Sequence, residues 1–234
     1  MRIPSGYLYY DTPIGILCLD TLFPNPLTFD FPVVCRVLRG VGAKEILSST
    51  SAQLETLFVD AARELERDGV KAIAGSCGFM ALFQKAVASA VSVPVLMSSL
   101  VQIPPIHTLH GPGCRIGVLP AHSGSLTPEH FRQAGVPDAQ IDALAIAGME
   151  NFPVFRKTIL EGAAPVMDTD AVGAEIGAAA GRPAARMHGP ERVRPDRAGG
   201  GFRPGLRYQF PDRLRGLLRA AEPVGVTGNR PPQT

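Results

Sequence analysis

The stretch Ala72-Ile73-Ala74-Gly75-Ser76-Cys77-Gly78-Phe79-Met80-Ala81-Leu82-Phe83-Gln84 decides the fold. Its first four residues are small and apolar and read as a buried strand. Ser76-Cys77-Gly78 reads as a turn, and the spacing from about Phe79 to Ala90 reads as a helix. Upstream, Ser51 to Asp68 sets Leu54, Leu57, Phe58, Ala61, Ala62 and Leu65 at helical intervals, with Gly69 where a C-terminal glycine stop belongs. Downstream, Val93 to Met97 reads as the next strand. Leu100 to Leu109 reads as a helix whose start is limited by Pro104 and Pro105.

The same alternation extends in both directions. Ile14 to Leu19 reads as a buried strand ending at Asp20, and Arg36 to Val41 as a second strand. Arg115 to Leu119 and Leu144 to Ala147 read as further strands. Helices are expected from about Ser125, with Pro128 near the first turn, and near Asn151–Leu160 and Asp168–Ala180. Strand–helix alternation predicts an α/β fold of parallel sheets covered by helices, with ligands at the carboxyl ends of the strands. Those ends are Asp20-Thr21, Ser76-Cys77-Gly78, Ser98-Ser99 and Pro120 to Ser125.

Composition narrows the function classes. Of 234 residues, 45% are hydrophobic and 19% charged, enough for a sizeable core. The longest apolar candidate, Ala86 to Met97, is too short for a membrane span and is interrupted by Ser89, Ser92 and Pro94. No basic start followed by an apolar run marks a signal peptide, so a cytoplasmic protein without membrane association is expected. The four cysteines, Cys18, Cys35, Cys77 and Cys114, form no Cys-x-x-Cys pair. That argues against a zinc site and a disulfide framework.

Charge is unevenly spread. Residues 1–181 hold 12 Lys/Arg and 17 Asp/Glu, whereas residues 182–234 hold 11 Arg and 4 acids among 8 Pro and 8 Gly. A basic disordered tail would suit nucleic acid, but the segment lacks Arg-Gly-Gly or aromatic repeats, so nucleic-acid binding is not expected.

Cys77 carries the sharpest chemical signal. A thiol between a strand and the start of a helix meets free N–H groups and the positive end of the helix dipole. Such a setting is expected to lower its pKa, making it a nucleophile or a carbon-acid base. The alternative is a small cysteine packing a strand end. Cys18 and Cys35 fall inside strand patterns and are expected in the core. His107 and His110 would share a helix face, but no third metal ligand is evident, so no metal is expected. His122 lies in a loop after a strand, within reach of a ligand. His130, beside Glu129, is expected to face solvent.

Residues 72–84, read as Ala-Gly-Ser-Cys-Gly-Phe-Met-Ala-Leu-Phe-Gln from Ala74, resemble the aspartate/glutamate/hydantoin racemase superfamily, in particular a bacterial branch with a Thr-Ser-Cys-Gly-Phe-Leu-Ala-Leu-Phe-Gln segment. Gly15 to Thr21, Phe31-Pro32-Val33, Pro94 to Leu100 and Ser125 to Pro128 agree with it, and the resemblance covers residues 12–181. It implies two pseudo-symmetric α/β lobes, here 1–98 and 99–181, with the second incomplete. It also implies a cofactor-independent racemase or isomerase of amino acids or related small carboxylates. In that family one thiolate removes the α-proton and a second thiol returns a proton to the opposite face. By position, Cys77 matches the first-lobe cysteine and Ser76, Gly78 and Phe79 its carboxylate-binding turn. Asp20 and Thr21 match an acid–hydroxyl pair, and Ser98 and Ser99 the hydroxyls after the fourth strand. The family's second cysteine, in a Leu-Glu-Cys-Thr-Asn segment, has no counterpart after Cys114. A one-cysteine, decarboxylase-like enzyme or a non-catalytic ligand-binding relative are the alternatives, and a homodimer is a compatible assembly.

Residues 182–234 read as a disordered or out-of-frame tail. Shifted by one base, Met187 to Gly199 permit a run ending Ile-Val-Leu-Glu, which in the family precedes the second cysteine.

Overall fold

The computed structural model describes residues 6–8, 12–21, 29, 31–48, 52–111, 113–163 and 166–181. The chain divides into two units, residues 1–195 and 196–234, and every described residue belongs to the first. The tail expectations for residues 182–234 lie outside the described residues.

Four parallel strands form the first sheet in the order β2-β1-β3-β4: β1 Ile14–Leu19, β2 Val33–Leu38, β3 Ala72–Gly75 and β4 Val95–Leu96. Ile16 pairs with Cys35 on one side and Ala74 on the other, and Ala74 pairs with Leu96. The order places β1 at the point where the chain reverses its direction of travel across the sheet. In open parallel sheets a crevice forms there, between the carboxyl ends of the two strands that part company. Here those strands are β1 and β3. A second, two-stranded parallel sheet pairs β5 Gly117–Val118 with β6 Ala145–Ile146.

The helices are α1 Ala43–Ser48, α2 Ala52–Asp68, α3 Gln84–Ala90, α4 Ile103–His110, α5 Pro128–Gln133, α6 Asp138–Ile141, α7 Pro153–Phe155 and α8 Thr169–Ala180. The expected helix after Cys77 begins as a 3-10 helix, Gly78–Phe83, before becoming α3. Another 3-10 turn, Ser99–Gln102, precedes α4. α7 continues as one π-helical turn, Arg156–Leu160.

β1 is apolar throughout, and Ile16, Leu17 and Cys18 are all buried. α2 packs Phe58, Ala61, Ala62 and Leu65 onto this sheet. Leu65 lies over Gly15, where a Cβ would stand 2.9 Å from Leu65 Cδ1. Phe58 stacks on Phe83 with ring centroids 4.3 Å apart. A second apolar cluster joins Ala81, Leu100 and Ile103 to Phe131, Val136 and Leu144. It fixes α5 against the 3-10 helix that follows Cys77.

Three expectations need correction. β2 spans Val33–Leu38, three residues earlier than the expected start at Arg36, because its ladder follows β1 from Ile14 onward. Cys35 is exposed rather than in the core, since β2 is an edge strand and one of its faces is uncovered. His130 is buried at 3% exposure, although Glu129 next to it faces solvent.

Candidate functional site

β3 ends at Gly75, which has no room for a side chain: a Cβ there would collide with the Met97 carbonyl oxygen and approach Met80 Sδ at 2.9 Å. That close approach of β3 to the end of β4 fixes the turn that follows. The Ser76 N–H donates to the Leu17 carbonyl (3.0 Å), and the Ser76 hydroxyl accepts the Leu19 N–H (3.2 Å). Ser76 thereby joins the carboxyl ends of β1 and β3 at the switch point.

Cys77 comes next, extended at φ −135° and ψ 133° as the residue that starts the 3-10 helix. Its carbonyl accepts the Met80 N–H at 3.0 Å. The side chain is partly buried against the main core. Burial pushes the Cys77 thiol up from its ordinary value, and hydrogen bonds from the Phe79 and Met80 N–H groups pull it back only in part. The sequence reading expected a lowered pKa from the helix end. The N–H groups are present as expected, but loss of water outweighs them, so the thiol is protonated near neutral pH.

Gly78 is exposed and lies against Ser98, with an ideal Cβ 3.8 Å from the Ser98 hydroxyl oxygen. The turns after β3 and β4 are thus neighbours. Ser98 is 5% exposed, and its hydroxyl accepts the Leu100 N–H at 3.2 Å, so it caps its own turn. Ser99 beside it is exposed. The Phe79 ring is buried at 3% exposure and meets the His130 ring edge-on, with centroids 5.4 Å apart.

The turn after β1 is arranged differently. The Asp20 carboxylate accepts the Gly40 N–H at 3.0 Å and meets Arg39 Nη1 at 3.4 Å, both from the turn after β2. Gly40 takes φ +77°, which turns its N–H toward the acid. Asp20 therefore closes the β1–β2 side of the site and leans away from β3. Thr21 is exposed, and its N–H donates to the Leu19 carbonyl at 3.0 Å.

The eight residues singled out from sequence all lie at the carboxyl ends of the first sheet, but they divide into two groups. Gly78, Thr21 and Ser99 are exposed at these ends, and Cys77 is partly so. Ser76, Ser98 and Asp20 hold neighbouring backbone, and Phe79 offers only its N–H. Cys77 is the one thiol at these ends. Cys18 lies within β1, Cys35 on the outer face of β2, and Cys114 before the amino end of β5. Among the described residues no three His, Cys, Asp or Glu side chains gather as a metal cluster, at His107 and His110 or elsewhere.

Gln84 escaped the sequence reading. Its amide Nε2 donates to the Val95 carbonyl (3.0 Å), and its Oε1 accepts the Met97 N–H (2.8 Å). It ties α3 to the strand that leads into Ser98 and Ser99. A glutamine near a helix start carries no signal for such a bond. A hollow lined by Asp60, Arg63, Glu64, Glu66, Arg67 and Ala90 lies on the solvated face of α2, away from the strand ends.

No family model matches the chain. Part of it is 37% identical over 109 residues to a dimethylsulfoniopropionate lyase from Durusdinium sp. clade D, covering 45% of this chain and 36% of that protein. It is 31% identical over 154 residues to dimethylsulfoniopropionate lyase 3 from Emiliania huxleyi (strain CCMP1516), covering 61% of this chain and 40% of that one. The chain spans less than half the length of these curated relatives. Its likeness to a solved glycine-to-cysteine mutant of arylmalonate decarboxylase is weak, with TM-score 0.36 and 16% identity over 73% of this chain and 97% of that chain. The relatives are named as lyases rather than racemases. No helix among the described residues is long and apolar enough to cross a membrane.

Proposed function

We propose that this chain carries out thiol acid/base chemistry on the carbon next to a carboxylate, without a cofactor, and that the reaction is an elimination. Dimethylsulfoniopropionate, or another small carboxylate with a leaving group on its β-carbon, is the proposed substrate. One observation carries the reading: Cys77 is the single thiol at the switch point, with the Phe79 and Met80 N–H groups turned toward its sulfur.

An α-proton beside a carboxylate is weakly acidic, and its removal needs a positioned base together with donors for the charge that develops. As thiolate, Cys77 takes the α-proton, the C–H electron pair becomes the new double bond, and the β-substituent leaves with its own bonding pair. For dimethylsulfoniopropionate the products are acrylate and neutral dimethyl sulfide. The exposed Ser99 and Thr21 hydroxyls and the bare Gly78 backbone are the groups that would receive the substrate.

Similarity to the dimethylsulfoniopropionate lyases favours elimination. The count of thiols favours it as well. Racemisation must return a proton to the face opposite Cys77, whereas elimination needs only one base. The racemase reading shares the first step and is kept as the second alternative because residues 72–84 resemble that superfamily.

The test is headspace detection of dimethyl sulfide from purified protein given dimethylsulfoniopropionate, with amino acids in deuterium oxide assayed in parallel. Sulfide release that falls by about a hundredfold or more in Cys77→Ala supports elimination at Cys77. Release unaffected by that substitution overturns the assignment. Deuterium entering an amino-acid α-position without any sulfide release supports the racemase reading instead.

A further inference from the structure

Phe79 faces two ways. Its N–H is turned toward the Cys77 sulfur, while its buried ring meets His130 of α5 edge-on, with centroids 5.4 Å apart. The Met80 N–H also acts on the sulfur, but it donates to the Cys77 carbonyl at 3.0 Å as well. Of the two it has the smaller effect, so the Phe79 N–H is the main hydrogen bond that offsets burial of the thiol. The direction of that N–H depends on how firmly the rest of Phe79 is held.

His130 is itself held at two points. Its Nδ1 accepts the Thr127 N–H at 3.1 Å, and the Thr127 hydroxyl lies 2.9 Å from the same nitrogen. Thr127 is the residue that starts α5, and His130 lies in the first turn, so these contacts fix the ring relative to the helix. The helix is fixed in turn, because Phe131, Ala134 and Val136 share a buried cluster with Ala81 and Leu100. Two perpendicular rings packed in a close-filled interior, one of them locked, restrict each other's rotation. Filling this space does not by itself call for a histidine. The imidazole brings a buried Nε2 that has no hydrogen-bond partner among the described residues, a cost that an apolar side chain avoids.

We propose that His130 is a positioning residue for Cys77, clamping the Phe79 ring so that the Phe79 N–H stays on the sulfur. The inference rests on the reading of Cys77 as the acid/base thiol. It deepens that reading by adding α5 to the parts that hold the Cys77 turn. His130 acts only through Phe79 and exchanges no proton with the thiol. Without the clamp the N–H swings off the sulfur, burial is less offset, and the thiolate forms less readily.

The experiment reads Cys77 itself, so it needs no substrate. The full-length protein is alkylated with iodoacetamide across a pH series, and modification at Cys77 is followed by peptide mass spectrometry. His130→Asn keeps an acceptor for Thr127 but leaves Phe79 without its ring partner. It is expected to slow alkylation near neutral pH by about threefold to tenfold and to move the profile toward alkaline pH. His130→Phe keeps a ring against Phe79 and gives up the Thr127 bond, so its profile should stay close to wild type even though the protein is less stable. Phe79→Leu removes the other half of the pair. It should match His130→Asn, with the double variant shifted no further, and it tests the clamp even where His130→Asn fails to fold. Superimposable profiles for wild type and Phe79→Leu, or for wild type and His130→Asn, in proteins with matching circular dichroism, overturn the proposal. Faster alkylation of His130→Asn overturns it too, as does a shift in His130→Phe as large as that in His130→Asn. A shifted profile in a protein that releases no dimethyl sulfide would leave the positioning role standing and reject only the proposed substrate.

Discussion

Ser76 joins two strand ends with a single residue, its N–H on Leu17 and its hydroxyl under the Leu19 N–H. Replacing Ser76 with alanine leaves that half-buried N–H without its partner, a loss of about 1–3 kcal/mol. Urea unfolding of Ser76→Ala is expected to report a loss of that order, together with reduced turnover as the Cys77 turn loosens. Unchanged stability would show that water replaces the hydroxyl and that the pin is dispensable. At this scale the sequence was only partly legible. The small-residue turn announced Cys77 and its neighbours by position. It did not reveal which hydroxyls would be consumed by backbone groups, because that depends on where β1 ends relative to β3. The direction of the thiol pKa was hidden for the same reason: the opposing effect is burial, which arises from packing against the main core built by residues far apart in sequence.

At the scale of elements, the helix after Cys77 is a composite whose two parts have separate tasks. The 3-10 segment Gly78–Phe83 buries Phe79, Met80, Ala81 and Phe83 in quick succession, more apolar surface than one face of an α-helix presents. α3 then begins at Gln84, whose amide serves β4. The sequence shows a single apolar helical pattern here, since the stacking of Phe83 on Phe58 that accompanies the break is long-range. The strand–helix order was legible because parallel strands buried on both faces must be uninterrupted apolar runs. Their ends were less so: β2 began three residues early because its register follows β1. Gln84→Leu is expected to cost about 1–3 kcal/mol by leaving the Val95 carbonyl and Met97 N–H unpaired. It should also raise the amide exchange rate around Met97 to Leu100. Hydrogen exchange followed by mass spectrometry checks both, and protection equal to wild type there would contradict the bridging role.

Across the whole described molecule, α5 carries the contact between the β5–β6 part and the Cys77 turn, with His130 at its centre. The Thr127 N–H donates to His130 Nδ1 at 3.1 Å, so the ring proton sits on Nε2, which is buried without a hydrogen-bond partner among the described residues. The Thr-x-x-His spacing was the available signal, since a side chain three residues into a helix can reach back to the residue that caps it. Burial holds the His130 pKa below its ordinary value, with the Thr127 backbone and Glu129 opposing it only in part. As pH falls through the unfolded-state value of about 6.5, the unfolded chain takes up a proton that the folded chain resists, so stability declines. Thermal unfolding is expected to show a lower midpoint at about pH 5.5 than at about pH 7.5. His130→Phe should be flatter over that interval, though less stable at its upper end for want of the Thr127 acceptor. Equal slopes for the two proteins would assign the acid sensitivity to other groups.

The Gln84 bridge also bears on how copies of this chain can meet. In the first sheet β4 is an edge strand. Its Pro94 carbonyl faces β3, accepting the Ile73 N–H at 2.9 Å, so the Val95 carbonyl and Met97 N–H point outward. Those outward groups are the ones that Gln84 occupies. An edge whose hydrogen-bonding groups are already filled offers no template to an incoming strand. A homodimer that continued this sheet through β4 would first have to displace the glutamine amide, so self-association, where it occurs, has to use side-chain surfaces or the opposite edge.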